Sequence, residues 1–142
     1  MNQEFIEQVA DRLDLAAARL IRENRRRDNG SHLSAARLGA LSAVAASGPL
    51  SLAQLAAAQQ VRAPTMSRIV DGLVRDALIS REVNASDRRG ISIRVTDKGV
   101  ALLREGRKLR ARALADRMQR LGESEQRALV RGVELLERLT RN

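Results

Sequence analysis

The residues best suited to chemistry in this sequence form one short basic turn, Asp87-Arg88-Arg89-Gly90, between two runs typical of β-strands. Guanidinium groups bind phosphate oxygens and guanine edges through paired hydrogen bonds, so the turn is suited to nucleic acid. The carboxylate of Asp87 can accept from a neighbouring guanidinium or from loop amides and so brace the tip. Arg89, with Arg88 as a possible phosphate contact, would then enter a minor groove, where the potential is most negative.

Other chemistry finds little support in the residue types. The chain has one His (His32), no Cys, no glycine-rich phosphate loop and no cluster with metal-ligand spacing. An enzyme, a cofactor and a metal site are therefore not expected, and disulfides and thiol switches are excluded. One Phe without Trp or Tyr also excludes an aromatic platform for single strands. We interpret His32 as a solvated loop residue rather than a ligand contact.

The charge balance alone does not decide the function. There are 26 Lys and Arg against 17 Asp and Glu, a net charge of +9, and nearly all the cations are Arg. A GC-rich genome produces the same bias, so the positions of the cations must decide. The sequence has neither a signal-peptide pattern nor a run of ~18–20 apolar residues, which predicts a cytoplasmic protein without a membrane span.

Upstream of the basic turn, two helices are predicted in close succession. Ser51 with Gln54 matches a capping box that opens a short helix over about 51–58. After a four-residue turn, Pro64 suits the first turn of a second helix over about 63–77. Short helix, turn and longer helix make the helix-turn-helix layout.

The second helix has two distinct faces. The predicted core face consists of Met66, Ile69, Val70 and Leu73. The predicted outer face consists of Pro64, Thr65, Arg68, Gly72 and Arg75, with Ser67 and Asp71 at its margins. Small polar residues with Arg, and a glycine that permits close approach, suit a major groove. The alternative is an ordinary solvated face, but such faces carry several Glu and Lys, whereas this face has only one acid, Asp71, at its edge.

The basic turn itself is predicted to be the tip of a β-hairpin, a wing beside the second helix. Residues 91–95 alternate, with Ile91, Ile93 and Val95 on one face. Residues 79–83 alternate less clearly. Asp71 is an alternative partner for the bracing role given to Asp87.

Long helices are predicted on both sides of this region. Residues 3–25 carry one apolar stripe, and a helix that starts at Ser34 is ended by Ser47-Gly48-Pro49. Thr96 is the predicted N-cap of a helix over about 97–121, which Gly122 ends, and Ser124 is the predicted N-cap of a final helix. The two terminal stripes need a partner. Their predicted contact residues are Phe5, Ile6, Val9 and Leu13 at the start and Leu129, Val133 and Leu136 at the end.

Taken together, the sequence resembles the MarR family of bacterial winged-helix regulators over nearly its whole length. Asp87-Arg88-Arg89 and the later Val95-Thr96-Asp97-Lys98-Gly99 are similar to the family's Asp-x-Arg wing and its Leu-Thr-x-x-Gly helix start. Val70-Asp71-Gly72-Leu73 resembles the family's Val-Asp-Arg-Leu, with Gly72 in place of the usual Arg or Lys. The departure at Gly72 implies the loss of one contact to the DNA backbone.

The resemblance implies a mainly α fold with a small β-hairpin, a winged helix-turn-helix carried by terminal dimerisation helices. It divides the chain into a dimerisation helix and loop (1–33), a DNA-binding lobe (34–98) and dimerisation helices (99–142). The implied homodimer would bind double-stranded DNA at a pseudo-palindromic operator with half-sites about 10 bp apart. The implied DNA-binding residues are Pro64, Thr65, Ser67, Arg68, Arg75, Arg88 and Arg89.

The resemblance further implies a repressor of a nearby gene, released in many family members by a small aromatic or other apolar effector. Two alternatives stay open from the residues alone. One is a non-specific architectural DNA-binding protein that uses the same basic faces. The other is a winged-helix module for protein interaction, in which the wing is a solvated loop.

Overall fold

The computed structural model describes residues 1–28, 33–83 and 90–141, and for residues 24–28 it describes the backbone only. In chain order the elements are α1 (Gln3–Asp28), α2 (Ala35–Ser47), β1 (Leu50–Ser51), α3 (Leu52–Ala58), α4 (Ala63–Arg75), β2 (Ile79–Val83), β3 (Ile91–Val95), α5 (Asp97–Met118) and α6 (Glu123–Thr140). The described chain forms two compact units, Met1–Gly106 and Arg107–Asn142. The predicted fold class, mainly helical with a small sheet, is confirmed.

The ends of α2 are set by local sequence. The Ser34 hydroxyl accepts a hydrogen bond from the backbone N–H of Arg37 at 3.4 Å, which caps the first turn. At the other end Gly48 has a φ of 77°, a conformation that only glycine adopts without strain. The sequence correctly located both ends. The buried face of α2 consists of Ala40, Leu41 and Val44.

The capping box that opens α3 is present in both directions. The backbone N–H of Gln54 donates to the Ser51 hydroxyl at 3.1 Å, and that of Ser51 donates to the Gln54 side chain at 2.9 Å. Both bonds satisfy amides that have no partner within the helix. The turn before α4 contains Gln60 with a φ of 53°. The predicted helix, turn and helix arrangement is therefore the one observed.

The wing strands belong to a three-stranded sheet in the order β1-β3-β2. The predicted antiparallel hairpin of β2 and β3 is confirmed, with Ile79 opposite Val95 and Val83 opposite Ile91. The third strand, β1, was not predicted. It is two residues long, and it pairs with β3 across about forty residues of chain, with Leu50 opposite Ile93. A pairing so distant leaves no local pattern in the sequence.

The core lies between α2, α3, α4 and the sheet. The core face predicted for α4 is confirmed for Met66, Val70 and Leu73, which are fully buried, and Ile69 packs at its edge. The buried apolar residues are Ala40, Leu41, Val44, Leu55, Ala56, Met66, Val70, Leu73, Leu78, Ile79 and Ile93. None is aromatic, so Leu, Ile, Val, Met and Ala fill this core.

The start of α5 is joined to the turn that follows α4. The Thr96 hydroxyl donates to the carbonyl of Ala77 at 2.7 Å and accepts from the N–H of Gly99 at 3.1 Å. The N–H of Thr96 donates to the carbonyl of Leu78 at 3.1 Å, and Lys98 Nζ donates to the carbonyl of Asp76 at 2.9 Å. Thr96 is thus the N-cap that the sequence predicted, and it also fixes α5 to α4.

Gly99 completes this joint because no side chain fits at its position. A Cβ atom there would lie 2.2 Å from the carbonyl oxygen of Leu78 and 2.9 Å from Cγ2 of Val95. The helix backbone therefore approaches the turn more closely than any other residue type allows. These contacts give a physical reason for the Thr96-Asp97-Lys98-Gly99 motif.

The terminal helices expose their apolar stripes. All side chains of residues 1–23 are exposed, and no residue of α6 is buried. One prediction here was wrong: α6 begins after Gly122, whose N–H donates to the Glu125 carboxylate at 2.9 Å, so Ser124 lies inside the helix. None of the helices in the described ranges is long and apolar enough to cross a membrane.

Candidate nucleic-acid interface

The N-terminal end of α4 is left open and positive. Its N-cap, Arg62, is extended (φ −69°, ψ 146°) and makes no side-chain cap, Pro64 occupies the first turn, and no acid lies there. The helix dipole places partial positive charge at this end, and a cation replaces the usual capping oxygen. That combination costs some helix stability and favours an approaching anion.

The outer face of α4 carries the residues predicted to contact DNA. Pro64, Thr65, Arg68 and Arg75 are exposed, whereas Ser67 is half-buried. Within the described part of the chain, neither Arg68 nor Arg75 takes part in a hydrogen bond or an ion pair. Their positions agree with the predicted outer face, and their role in DNA binding stays a prediction.

The one acid on this helix, Asp71, is neutralised by an arginine that was not among the predicted site residues. The Asp71 carboxylate pairs with Nη2 of Arg81 on β2, and both side chains are exposed. Arg81 stands opposite Ile93 in the sheet register, on the same side as the apolar core residues. The sequence did contain a signal for this role, because Arg81 interrupts the apolar alternation of Ile79 and Val83 along β2. The pair adds little stability, but it leaves the outer face with a net positive charge.

Gly72 was predicted to leave the outer face open to close approach, and this prediction was wrong. It is buried, because the guanidinium of Arg37, on α2, covers it. A Cβ at Gly72 would lie 1.7 Å from Nη2 of Arg37. Arg37 also donates from Nη1 to Oδ2 of Asp76 at 3.1 Å. No sequence signal linked Arg37 to α4, since the two lie on separate helices.

The hairpin strands are described up to the base of the wing. Arg94 Nε donates to Oε2 of Glu82 at 2.9 Å across the strands, on the face away from the core. At the outer end, Val83 and Ile91 stand opposite each other and are more than half exposed. The predicted brace, Asp87, and the predicted contacts Arg88 and Arg89 lie outside the described residues, as does His32.

Comparison with known proteins points to one family. Residues 33–90 match the model of the MarR family. An HTH-type transcriptional regulator of Mycobacterium bovis, uncharacterised, is 31% identical over 128 residues, which cover 90% of each chain. Among solved structures, a transcriptional regulator from Thermotoga maritima superposes with a TM-score of 0.84 at 18% identity, over 94% of both chains. A mutant of S. aureus MepR bound to an oligodeoxyribonucleotide superposes with a TM-score of 0.71 at 20% identity, over 93% of this chain and 98% of that one.

Proposed function

The chain belongs to the MarR family of DNA-binding transcriptional regulators, and we propose that it binds a specific double-stranded operator as a homodimer and represses a nearby gene. The observation that carries this proposal is the outer face of α4. There Arg68 and Arg75 project without a protein partner among the described residues, and the only acid, Asp71, is paired with Arg81. Such a face offers donors to base edges and phosphates without opposing charge.

The homodimer is supported by the stripes on the terminal helices. Phe5, Ile6, Val9 and Leu13 on α1, and Leu129, Val133 and Leu136 on α6, are each between 37% and 49% exposed. Single exposed apolar residues are ordinary, but continuous stripes along two helices are typical of an interaction surface. A second copy of the chain offers a matching pair of stripes, as two-fold symmetry requires.

Two copies of α4 then set the form of the operator. A two-fold dimer presents two equivalent helices, which enter successive major grooves when half-sites lie about 10 bp apart. The operator is accordingly a pseudo-palindrome. The DNA-bound mutant of MepR shares the fold, which supports DNA as the partner of this surface.

Selection from a random-sequence duplex library with the purified protein tests this proposal directly. We expect an enriched pseudo-palindrome whose binding survives a large mass excess of bulk genomic DNA. If an equal mass of unlabelled bulk DNA displaces the selected duplex from the protein, the protein is instead an architectural one. No binding to any duplex at low salt would indicate a protein-interaction module and would refute DNA binding by this face.

The affinity for the selected operator should fall steeply with salt. A dimer that makes about six to ten phosphate contacts loses roughly 10³–10⁵ in affinity between 50 and 200 mM salt, because condensed counterions are released on binding. Fluorescence anisotropy with a labelled duplex over this range measures the slope. An affinity independent of salt would contradict phosphate contacts by the arginines.

Arg68→Ala and Arg89→Ala should each weaken operator binding by ~1–3 kcal/mol, since each removes a charge-assisted contact to the DNA. Arg127→Ala is the matched control, because Arg127 is an ion-paired arginine on α6, away from α4 in the sequence. Anisotropy gives the affinities, and urea unfolding shows whether each variant stays folded. A folded variant with wild-type affinity would remove that residue from the interface.

Release by an effector extends the proposal. A small aromatic or other apolar molecule would dissociate the complex, and titration of small aromatic carboxylates into the operator complex tests this part. A fall in anisotropy at concentrations that leave the protein folded is the expected result.

A further inference from the structure

Gly72 occupies a position on α4 where a side chain would face the proposed DNA surface. It lies four residues after Arg68 and three before Arg75, and both spacings place residues on the same side of a helix. Both arginines are exposed, whereas Gly72 is buried. The outer face is therefore continuous except at this one position, where α4 itself contributes no side chain.

The guanidinium of Arg37 fills this position from another helix. A Cβ at Gly72 would lie 1.7, 2.6 and 2.9 Å from Nη2, Cζ and Nε of Arg37. The Arg37 side chain keeps 27% of its surface exposed. It thus occupies the space beside Gly72, which lies between Arg68 and Arg75 along α4, and still reaches solvent.

Asp76 holds this guanidinium in place. Nη1 of Arg37 donates to Oδ2 of Asp76 at 3.1 Å, and Asp76 is the C-cap of α4. A carboxylate at a helix C-terminus is unfavourable on its own, and the nearby cation offsets that cost. The guanidinium of Arg37 has five N–H donors, and only Nη1 donates to Asp76, so other N–H groups can bind a ligand.

Stability alone does not account for this arrangement. A helix with an internal glycine is less stable than one with alanine there. An ion pair whose side chains are 27% and 43% exposed contributes little to the free energy of unfolding. What the pairing of Gly72 with Arg37 adds is a positive charge beside the outer face of α4.

We propose that Arg37 is a further DNA contact, a phosphate-binding guanidinium that α2 supplies to the outer face of α4 and that Gly72 admits. The inference rests on the proposed function. A phosphate is the fitting group because Arg37 lies at the flank of α4 and is restrained by Asp76, and phosphates line the groove edges. Arg37, Arg68 and Arg75 then form one row of cations, with Arg37 replacing the side chain that Gly72 lacks.

The test compares Arg37→Ala with the wild type on the operator duplex that the wild type selects. Losing one phosphate contact per subunit should lower the slope of log affinity against log salt by about 2 per dimer. Affinity should fall more than about tenfold at 50 mM salt, and similarly for an arbitrary duplex, because phosphates carry no sequence. Arg37→Lys should keep most of the slope. Arg127→Ala, which removes one charge elsewhere, should keep all of it.

A swap variant separates a DNA contact from a structural clamp. In the Arg37→Ala, Gly72→Arg double variant the guanidinium starts from α4 instead of α2, so the salt slope should return towards the wild-type value. A clamp between α2 and α4 would not be restored in this way. Urea unfolding of each variant confirms that folded protein is compared. If the swap does not fold, Asp76→Asn decides, because it removes the ion pair and keeps the guanidinium, so the salt slope should not fall.

Two results would overturn the inference while leaving the proposed function intact. One is a folded Arg37→Ala variant with the wild-type salt slope. The other is a folded swap variant whose slope stays at the Arg37→Ala value. A wild-type protein that binds no duplex would instead refute the proposed function, and this inference with it.

Discussion

A Gly99→Ala variant is expected to unfold at a clearly lower urea concentration, with a loss of about 3 kcal/mol in the free energy of unfolding. The added Cβ would lie 2.2 Å from the carbonyl oxygen of Leu78, which is backbone and cannot rotate away. Relief requires α5 to move from the turn, and that movement stretches the hydrogen bonds of Thr96 to Ala77 and Leu78. Circular dichroism during urea titration measures the change.

The same substitution at Gly72 is the informative comparison. There the Cβ would come even closer to another atom, 1.7 Å, but that atom is the movable end of Arg37. The guanidinium can swing out at the cost of a partly exposed ion pair, while alanine improves the helix by up to about 1 kcal/mol. We therefore expect Gly72→Ala to change stability far less than Gly99→Ala. If both variants lose the same free energy of unfolding, then the mobility of the atom that the Cβ meets does not decide how much stability is lost.

A Val133→Asp variant is expected to convert the proposed dimer into monomers and to abolish tight operator binding. Val133 lies in the middle of the α6 stripe and is 49% exposed in the single chain. In a dimer the new carboxylate would be buried without a partner, at a cost of about 3–5 kcal/mol for each copy. Sedimentation velocity at micromolar concentration should show the monomer, and anisotropy should show the lost affinity.

Arg131→Asp is the matched control for this experiment. It introduces the same carboxylate on the same helix, but two residues away, which turns it to the opposite side of α6. The control should remain dimeric. A Val133→Asp protein that sediments as a dimer and binds the operator would place the subunit contact elsewhere.

Local signals explain most of what could be predicted from the sequence. The capping box of Ser51 and Gln54, the Gly48 stop and the Thr96 cap each depend on residues within a few positions. The outward position of Arg68 on α4 likewise follows from the helical period. These features do not depend on tertiary contacts with distant parts of the chain.

Two of the errors occur where a distant residue decides, and a third depends on a local cap. Gly72 is buried because Arg37, on another helix, covers it, and β1 exists because β3 offers a free edge. Gly122 rather than Ser124 starts α6, because the Glu125 carboxylate reaches back to the Gly122 amide and selects that register. Gly72 and β1 thus depend on tertiary contacts, whereas the start of α6 depends on the local cap by Glu125.

The joint between α4 and α5 also determines how this part of the chain can open. Thr96, Lys98 and Gly99 all contact the same three-residue turn, Asp76 to Leu78, so these contacts support one another. We therefore expect local unfolding here to be cooperative, so that the last turn of α4 and the first turn of α5 lose their protection against amide exchange together. The position of α4 relative to α5 is therefore held by several contacts, and these must break before the outer face of α4 can move.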